Sequence, residues 1–443
     1  MESFNSFAFV ILSITFTSTL KNNNLVGIKE MERIFAEYYT ETPYEVEQAA
    51  AVLAGEQSSG TFVSVPGETA ELKQRFAARV EHIEKLDIVD EPSIPGNSIP
   101  GKKYQRAKVQ VSWSIENFGY NLPLLISTLQ GNLYEISQFT GLKLMDFEVP
   151  ESFKNHFKGP RFGIQGSKAS CGVGERPMIG TIIKPSVGMS PEETAALVQT
   201  LIEAGIDFIK DDELMGSTAN SLFDDRVNVI MKVINNHAQK TGKKVMYAFN
   251  ISDEIDAMQR KYDLIKKHEG TCAMISINSV GLSGTKKICD QGDLVIHGHR
   301  NGWGMLNRHP LLGIEFPAYQ KIWRLAGVDQ MHVNGIQNKF WESDDSVVKS
   351  IQSCLKPFVC GNNPLPVVSS GQWGGQAFET YRRTQTTDLL YMAGGGILAH
   401  PMGATAGVNA LQQAWKAAVD GLSVDEAALL YPEFAASVKK FAK

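Results

Sequence analysis

The sequence predicts an α/β fold: a (β/α)8 TIM barrel in the C-terminal part, preceded by a smaller α+β domain. Three observations predict it. From about Gly159 onward short apolar runs recur, each followed by a segment of helical periodicity. There are eight such runs, the number that closes a parallel barrel. The chain has 443 residues, which favours two or three domains over one. An open doubly wound sheet is the alternative, but no GxGxxG follows the first run.

The elements follow in order. Phe7–Leu20 is apolar for only 14 residues, too short to cross a bilayer comfortably. No Lys or Arg precedes it, so the basic start of a secretory signal is missing. Residues 1–30 therefore read as a disordered extension or a misplaced start, with a weak signal peptide as runner-up, and Met31 opens the folded part. Residues 31–155 form the first domain. "RIFAEYYTE" and "AKVQVSWSIE" read as strands, "PYEVEQAAAVLAGE" and "LPLLISTLQGNLYEIS" as helices, and "DEPSIPGNSIPGKKYQ" as a Pro/Gly loop. Strict βαβ alternation is lacking, hence α+β.

Residues 156–443 form the barrel. Its strands are "IGTIIK" (179–184), "IDFIK" (206–210), "VMYAFN" (245–250), "AMISINS" (273–279), "LVIHGH" (294–299), "QMHVNG" (330–335), "PVVSSG" (366–371) and "LLYMAGGG" (389–396). Between the first two lies "SPEETAALVQTLIEAG", with a Ser-Pro-Glu-Glu start signal and a closing Gly205.

Composition narrows the function classes. A net charge of −5 offers no basic footprint for nucleic acid or an anionic membrane. The five cysteines are odd in number and show no CxxC, which fits reduced thiols in a cytoplasmic protein.

Every predicted barrel strand ends in polar or glycine residues, at the face where such barrels place their chemistry. The strand-end groups are Lys184, Lys210-Asp211-Asp212-Glu213, Asn250, Asn278, His297-His299-Arg300, His332, Ser369-Ser370-Gly371 and Gly394-Gly395-Gly396. Asp212 and Glu213 are hard oxygen ligands suited to Mg²⁺. The glycines after the last two strands offer unhindered backbone N–H groups where barrels often hold phosphate, and Arg300 and Lys339 supply cations. A structural ion pair between Lys210 and Asp211 is the bland alternative.

These motifs resemble those of the large chain of ribulose-bisphosphate carboxylase/oxygenase (RuBisCO). "GIDFIKDDE" is similar to the family's metal-site motif, "GTIIKPSVGMS" to its first-strand motif, and "VIHGHR", "HVNGIQNK" and "GGGILAHPMG" to later ones. The resemblance implies a ferredoxin-like first domain and a Mg²⁺ site of Asp212, Glu213 and Lys210, with Lys210 converted by CO2 to a carbamate. It implies Lys184, His299 and Lys339 as catalytic residues. Arg300, His332, Ser369, Gly371, Gly394 and Gly395 would bind substrate and its phosphate. Glu56, Thr61 and Asn132 would reach the site of a neighbouring subunit, so a homodimer or larger assembly is expected.

The departures point away from CO2 fixation. Ser186 stands where a carboxylase has a second lysine, Trp303 where the family has a histidine, and Ser370 where it has a glycine. The chain is more similar to the type IV, RuBisCO-like members, and among them to the group linked to apiose catabolism. That resemblance implies decarboxylation of 3-oxo-isoapionate 4-phosphate to L-erythrulose 1-phosphate and CO2. A transcarboxylase/hydrolase on the same substrate, an enolase or isomerase of methylthio-pentulose phosphates, and a non-catalytic role are the alternatives.

Overall fold

The computed structural model describes residues 32–59, 65–94, 98–359 and 361–442. The extension expected at 1–30, the role of Thr61 and the reduced state of Cys360 lie outside the described residues.

The first unit runs β1 (Arg33–Thr42), a helix Val46–Glu56, β2 (Arg79–Val89), β3 (Tyr104–Ser114), a helix Leu122–Leu129 and β4 (Gly141–Glu148). The strands lie in the order β4-β1-β3-β2, each pair antiparallel, which is the ferredoxin-like arrangement. On β1, Ile34, Ala36 and Tyr38 point into the core while Phe35 and Glu37 are exposed, the period-2 pattern of a sheet with one dry face. The helix expected through residue 137 stops at Leu129; Gly131 adopts φ +33°, and Leu133–Glu135 forms a separate 3₁₀ turn. The sequence showed no signal for β4, because its first four residues are all buried and the alternation disappears.

The barrel strands are β5 (Met178–Ile182), β6 (Phe208–Lys210), β7 (Met246–Asn250), β8 (Cys272–Ser276), β9 (Val295–His299), β11 (Gln330–Asn334), β12 (Leu365–Ser369) and β13 (Leu390–Met392). They close in the order β11-β12-β13-β5-β6-β7-β8-β9. Between β9 and β11 the tripeptide β10 (Leu312–Ile314) leaves the barrel and pairs parallel with β4. It ties the two units into one sheet of five strands.

The barrel interior is dry. Phe208, Met246, Met274, Val295, Val367 and Met392 form one buried cluster, while alternate residues such as Ile179, Ile209 and Tyr247 join the larger core under the helices. Helix Pro191–Glu203 has the predicted start: Ser190 and Glu193 form a reciprocal capping box, and Gly205 follows at φ +83°. Five strands end earlier than expected; β5, β11 and β12 stop one or two residues short, at Ile182, Asn334 and Ser369. β8 stops at Ser276 and gives way to a helical turn, Ile277–Val280. β13 stops at Met392, and Gly395–Leu398 is helical. Among the described residues no helix is long and apolar enough to cross a membrane.

Candidate active site

The C-terminal strand ends open into a cavity of about 880 Å³. All twelve barrel residues singled out from the sequence line it: Lys184, Lys210, Asp212, Glu213, His299, Arg300, His332, Lys339, Ser369, Gly371, Gly394 and Gly395. Four strand-end residues do not, Asp211 among them. Asn250 donates to the carbonyls of Glu213 and Met215, and Asn278 lies in the helical turn after β8, bonded to the Asn301 carbonyl and to Tyr319. His297 is fully buried below the mouth with Nδ1 against Gln330, and desolvation holds its pKa down at about 3. Glu56 and Asn132 do not line the cavity of their own chain.

Lys210 ends β6 and is 1% exposed. Its Nζ lies 3.9 Å from Glu213 Oε2 and donates to the Asp211 carbonyl at 2.9 Å. Burial lowers its pKa to about 8, and the three neighbouring carboxylates offset only part of that cost. Asp211 points the other way. Its carboxylate accepts from Tyr247 at 2.6 Å, from the Asn250 backbone at 2.9 Å and from the fully buried Arg226 at 3.3 Å. The alternative in which Lys210 and Asp211 form a structural ion pair is therefore corrected: the Asp211 carboxylate is already taken.

Asp212 Oδ2 lies 2.5 Å from Lys184 Nζ, which also donates to Ser186 Oγ at 2.6 Å. Burial opposes the Asp212 charge, yet the Lys184 bond holds its carboxyl below the usual range. His299 Nε2 faces Glu213 Oε2 at 3.5 Å, and burial together with the Lys210 charge keeps the imidazole neutral. His332 is likewise held neutral, first by burial. Its Nδ1 meets Ser369 Oγ at 3.3 Å, and its buried Nε2 has no partner.

Sequence reasoning missed several residues here. Arg300 is paired with Glu342 at 3.1 Å and lies over the ring of Trp303 at 5.0 Å. The same Glu342 oxygen accepts from Asn334. Glu342 follows "NKFW" in a loop and reads as a solvated acid; nothing in the sequence marks it as buried. Exposed Phe340 and Trp341 also line the cavity, beside Lys339. The Lys339 loop rests on the β12 loop: Lys339 N donates to the Ser370 carbonyl at 3.2 Å, and a Cβ on Gly371, at φ +84°, would press on Lys339 at 3.3 Å.

The catalytic-domain model of the ribulose bisphosphate carboxylase large chain matches residues 163–441, and the N-terminal-domain model matches residues 27–153. The chain belongs to the RuBisCO large-chain family. Within it, the chain is 49% identical to a 3-oxo-isoapionate-4-phosphate transcarboxylase/hydrolase of Xanthobacter autotrophicus, over 90% of this chain and 97% of that protein. It is also 49% identical to a 3-oxo-isoapionate-4-phosphate decarboxylase of Rhizobium etli, over 91% and 97%. A RuBisCO-like protein from Burkholderia fungorum superposes with a TM-score of 0.86 at 42% identity, covering 92% of this chain and 99% of that one. The octameric RuBisCO of Pyrococcus horikoshii superposes at 0.83 with 30% identity, covering 92% and 93%.

At the positions where the sequence departs from the RuBisCO motifs, Ser186 accepts a hydrogen bond from Lys184. Trp303 is buried and packs on Tyr319 with ring centroids 4.7 Å apart. Ser370 holds φ +75°, a conformation that favours glycine, and its hydroxyl reaches Asn334 at 2.7 Å.

Proposed function

We propose that the chain is a Mg²⁺-dependent carboxy-lyase that decarboxylates 3-oxo-isoapionate 4-phosphate to L-erythrulose 1-phosphate. The observation that carries the reading is Lys210: a buried amine of lowered pKa that faces Glu213 at 3.9 Å, with no closer carboxylate among the described residues. The names of relatives 49% identical to the chain supply the substrate.

The residues fit the metal on charge. Among the described residues no three His, Cys, Asp or Glu side chains converge on one point, so a third anionic ligand must come from elsewhere. Carbamylation turns Lys210 from a cation into an oxygen anion. Asp212, Glu213 and the carbamate then carry three negative charges against one on Lys184, and a divalent cation balances the remainder. Mg²⁺ held by these three groups would supply a Lewis acid that favours the enolate form of the ketone.

The chain's own groups do the rest. Lys339 and the backbone of Gly371, Gly394 and Gly395 hold the phosphate. Arg300, His332 and Ser369 hold the opposite end of the substrate, and neutral His299 is a proton acceptor for a substrate hydroxyl. The bond from the carbon skeleton to the carboxylate breaks, its electron pair moves into the enolate, and CO2 leaves. Lys184 returns a proton to carbon; its side chain is 45% exposed and can be recharged from solvent. The enolate is also what a carboxylase makes before CO2 adds, so the same machinery runs in reverse. Glu56, Thr61 and Asn132 complete the site of a neighbouring subunit in a homodimer or larger assembly; neither Glu56 nor Asn132 lines the cavity of its own chain, which fits this role.

The test uses substrate labelled with ¹³C in the carboxylate, followed by NMR. One labelled CO2 or bicarbonate per turnover supports the lyase. Label retained in an acid product makes the protein a transcarboxylase/hydrolase, and no turnover removes the reading.

A further inference from the structure

The cavity has two ends of different charge. At one end, after β12 and β13, lie Gly371, Gly394 and Gly395; a Cβ on Gly395 would meet nothing within 4 Å. Beside them the Lys339 ammonium sits over the Phe340 ring at 5.1 Å and forms no ion pair among the described residues. At the other end, past β12 and β11, is Arg300 at the end of β9. There Glu342 Oε2 lies 3.1 Å from the guanidinium. Glu342 is itself fully buried, and Asn334 and Ser346 fix its two oxygens at 2.5 and 2.7 Å.

We propose that Glu342 is a specificity-determining residue: it cancels the Arg300 charge, so that the site is built for a sugar with one phosphate and gains little affinity from a second. The inference rests on the reading above, that the cavity holds a phosphorylated sugar with its phosphate at the glycine end. A phosphate dianion brought to the Arg300 end would be desolvated against a buried carboxylate, where like charges repel strongly. The groups left for a ligand there are neutral overall. Arg300 Nη1 and His332 Nε2 are buried without partners, and Ser369 adds a hydroxyl. They match hydroxyl or carbonyl oxygens. A purely structural Glu342, a latch for the Lys339 loop, predicts something else: its loss would weaken every ligand alike.

The probes are ribulose 5-phosphate and ribulose 1,5-bisphosphate, which differ by one phosphate. Their dissociation constants are measured by calorimetry on the full chain with Mg²⁺ and bicarbonate. The wild-type protein is expected to bind the bisphosphate less than about fivefold tighter than the monophosphate. In Glu342→Gln, which keeps an acceptor for Asn334 and removes the charge, that preference is expected to rise by about tenfold or more. A wild-type preference above fivefold, equal shifts of both ligands in the variant, or no binding of either probe overturns the proposal. If the variant does not fold, the wild-type ratio decides alone. The ratio needs no turnover, so a protein that shows it but releases no CO2 from the sugar acid keeps this inference and loses the proposed reaction.

Discussion

Lys210 Nζ donates to the backbone carbonyl of Asp211 at 2.9 Å, while the Asp211 carboxylate turns away to Arg226, Tyr247 and the Asn250 backbone. Two adjacent charged residues thus serve different purposes. Asp211 anchors the strand end to the core; Lys210 is held ready in the cavity.

The first prediction separates them by stability. Asp211→Asn leaves the fully buried Arg226 without its counter-charge. Breaking a buried pair this way costs roughly 3–5 kcal/mol. Denaturant unfolding should show that loss. Lys210→Ala removes a desolvated amine whose charge was costly to bury, so its melting temperature should stay within about 3 °C of wild type while turnover falls by at least about a hundredfold. A large melting-temperature drop with activity per folded molecule preserved would reverse the assignment.

The second prediction concerns pH. Only the neutral amine reacts with CO2, and the Lys210 pKa is lowered to about 8. With a lowered pKa the ammonium dominates below pH 8 and the amine above it. At fixed dissolved CO2, the activation rate should rise about fivefold from pH 7 to 8 and less than about twofold from pH 8 to 9. A lysine at its ordinary value would instead gain about tenfold per unit through pH 9. Activation is followed by preincubating with bicarbonate and Mg²⁺, then diluting into assay.

A third prediction addresses the metal. Asp212 sits at the barrel mouth and bonds Lys184. Asp212→Ala should abolish Mg²⁺-dependent turnover and leave the circular dichroism spectrum unchanged, since that carboxylate supports no core packing. Full activity with Mg²⁺ present would remove Asp212 from the ligand set.

The site was more legible than the fold around it. Each barrel strand is a short apolar run, and the charged or glycine residue that stops it lies at the mouth by topology alone. That logic finds Lys184, Lys210 and Gly394 without coordinates. It fails where a residue's partner is remote. Glu342 is a surface-like acid until Arg300, 42 positions earlier, folds against it. β10 is three residues long and gains its strand character only from β4. His297 looks like its neighbour His299 and faces the same barrel interior, but two residues earlier on β9 it lies one layer below the mouth, beside Phe208 at 5.3 Å.

The last prediction returns to Ser186. Its hydroxyl accepts from Lys184 at 2.6 Å, and the same ammonium donates to Asp212 at 2.5 Å. A lysine there would bring a second cation to the carbon that gains or loses CO2, and would stabilise a new carboxylate. A serine supplies no such charge. It leaves Lys184 without a second lysine at position 186, suited to protonating an enolate once CO2 has gone. The protein should therefore incorporate no radiolabel from bicarbonate into ribulose 1,5-bisphosphate, even when fully activated with CO2 and Mg²⁺. Acid-stable labelled product at a rate above that of Lys184→Ala would show that the site still carboxylates, and that the direction of the reaction is set by something other than residue 186.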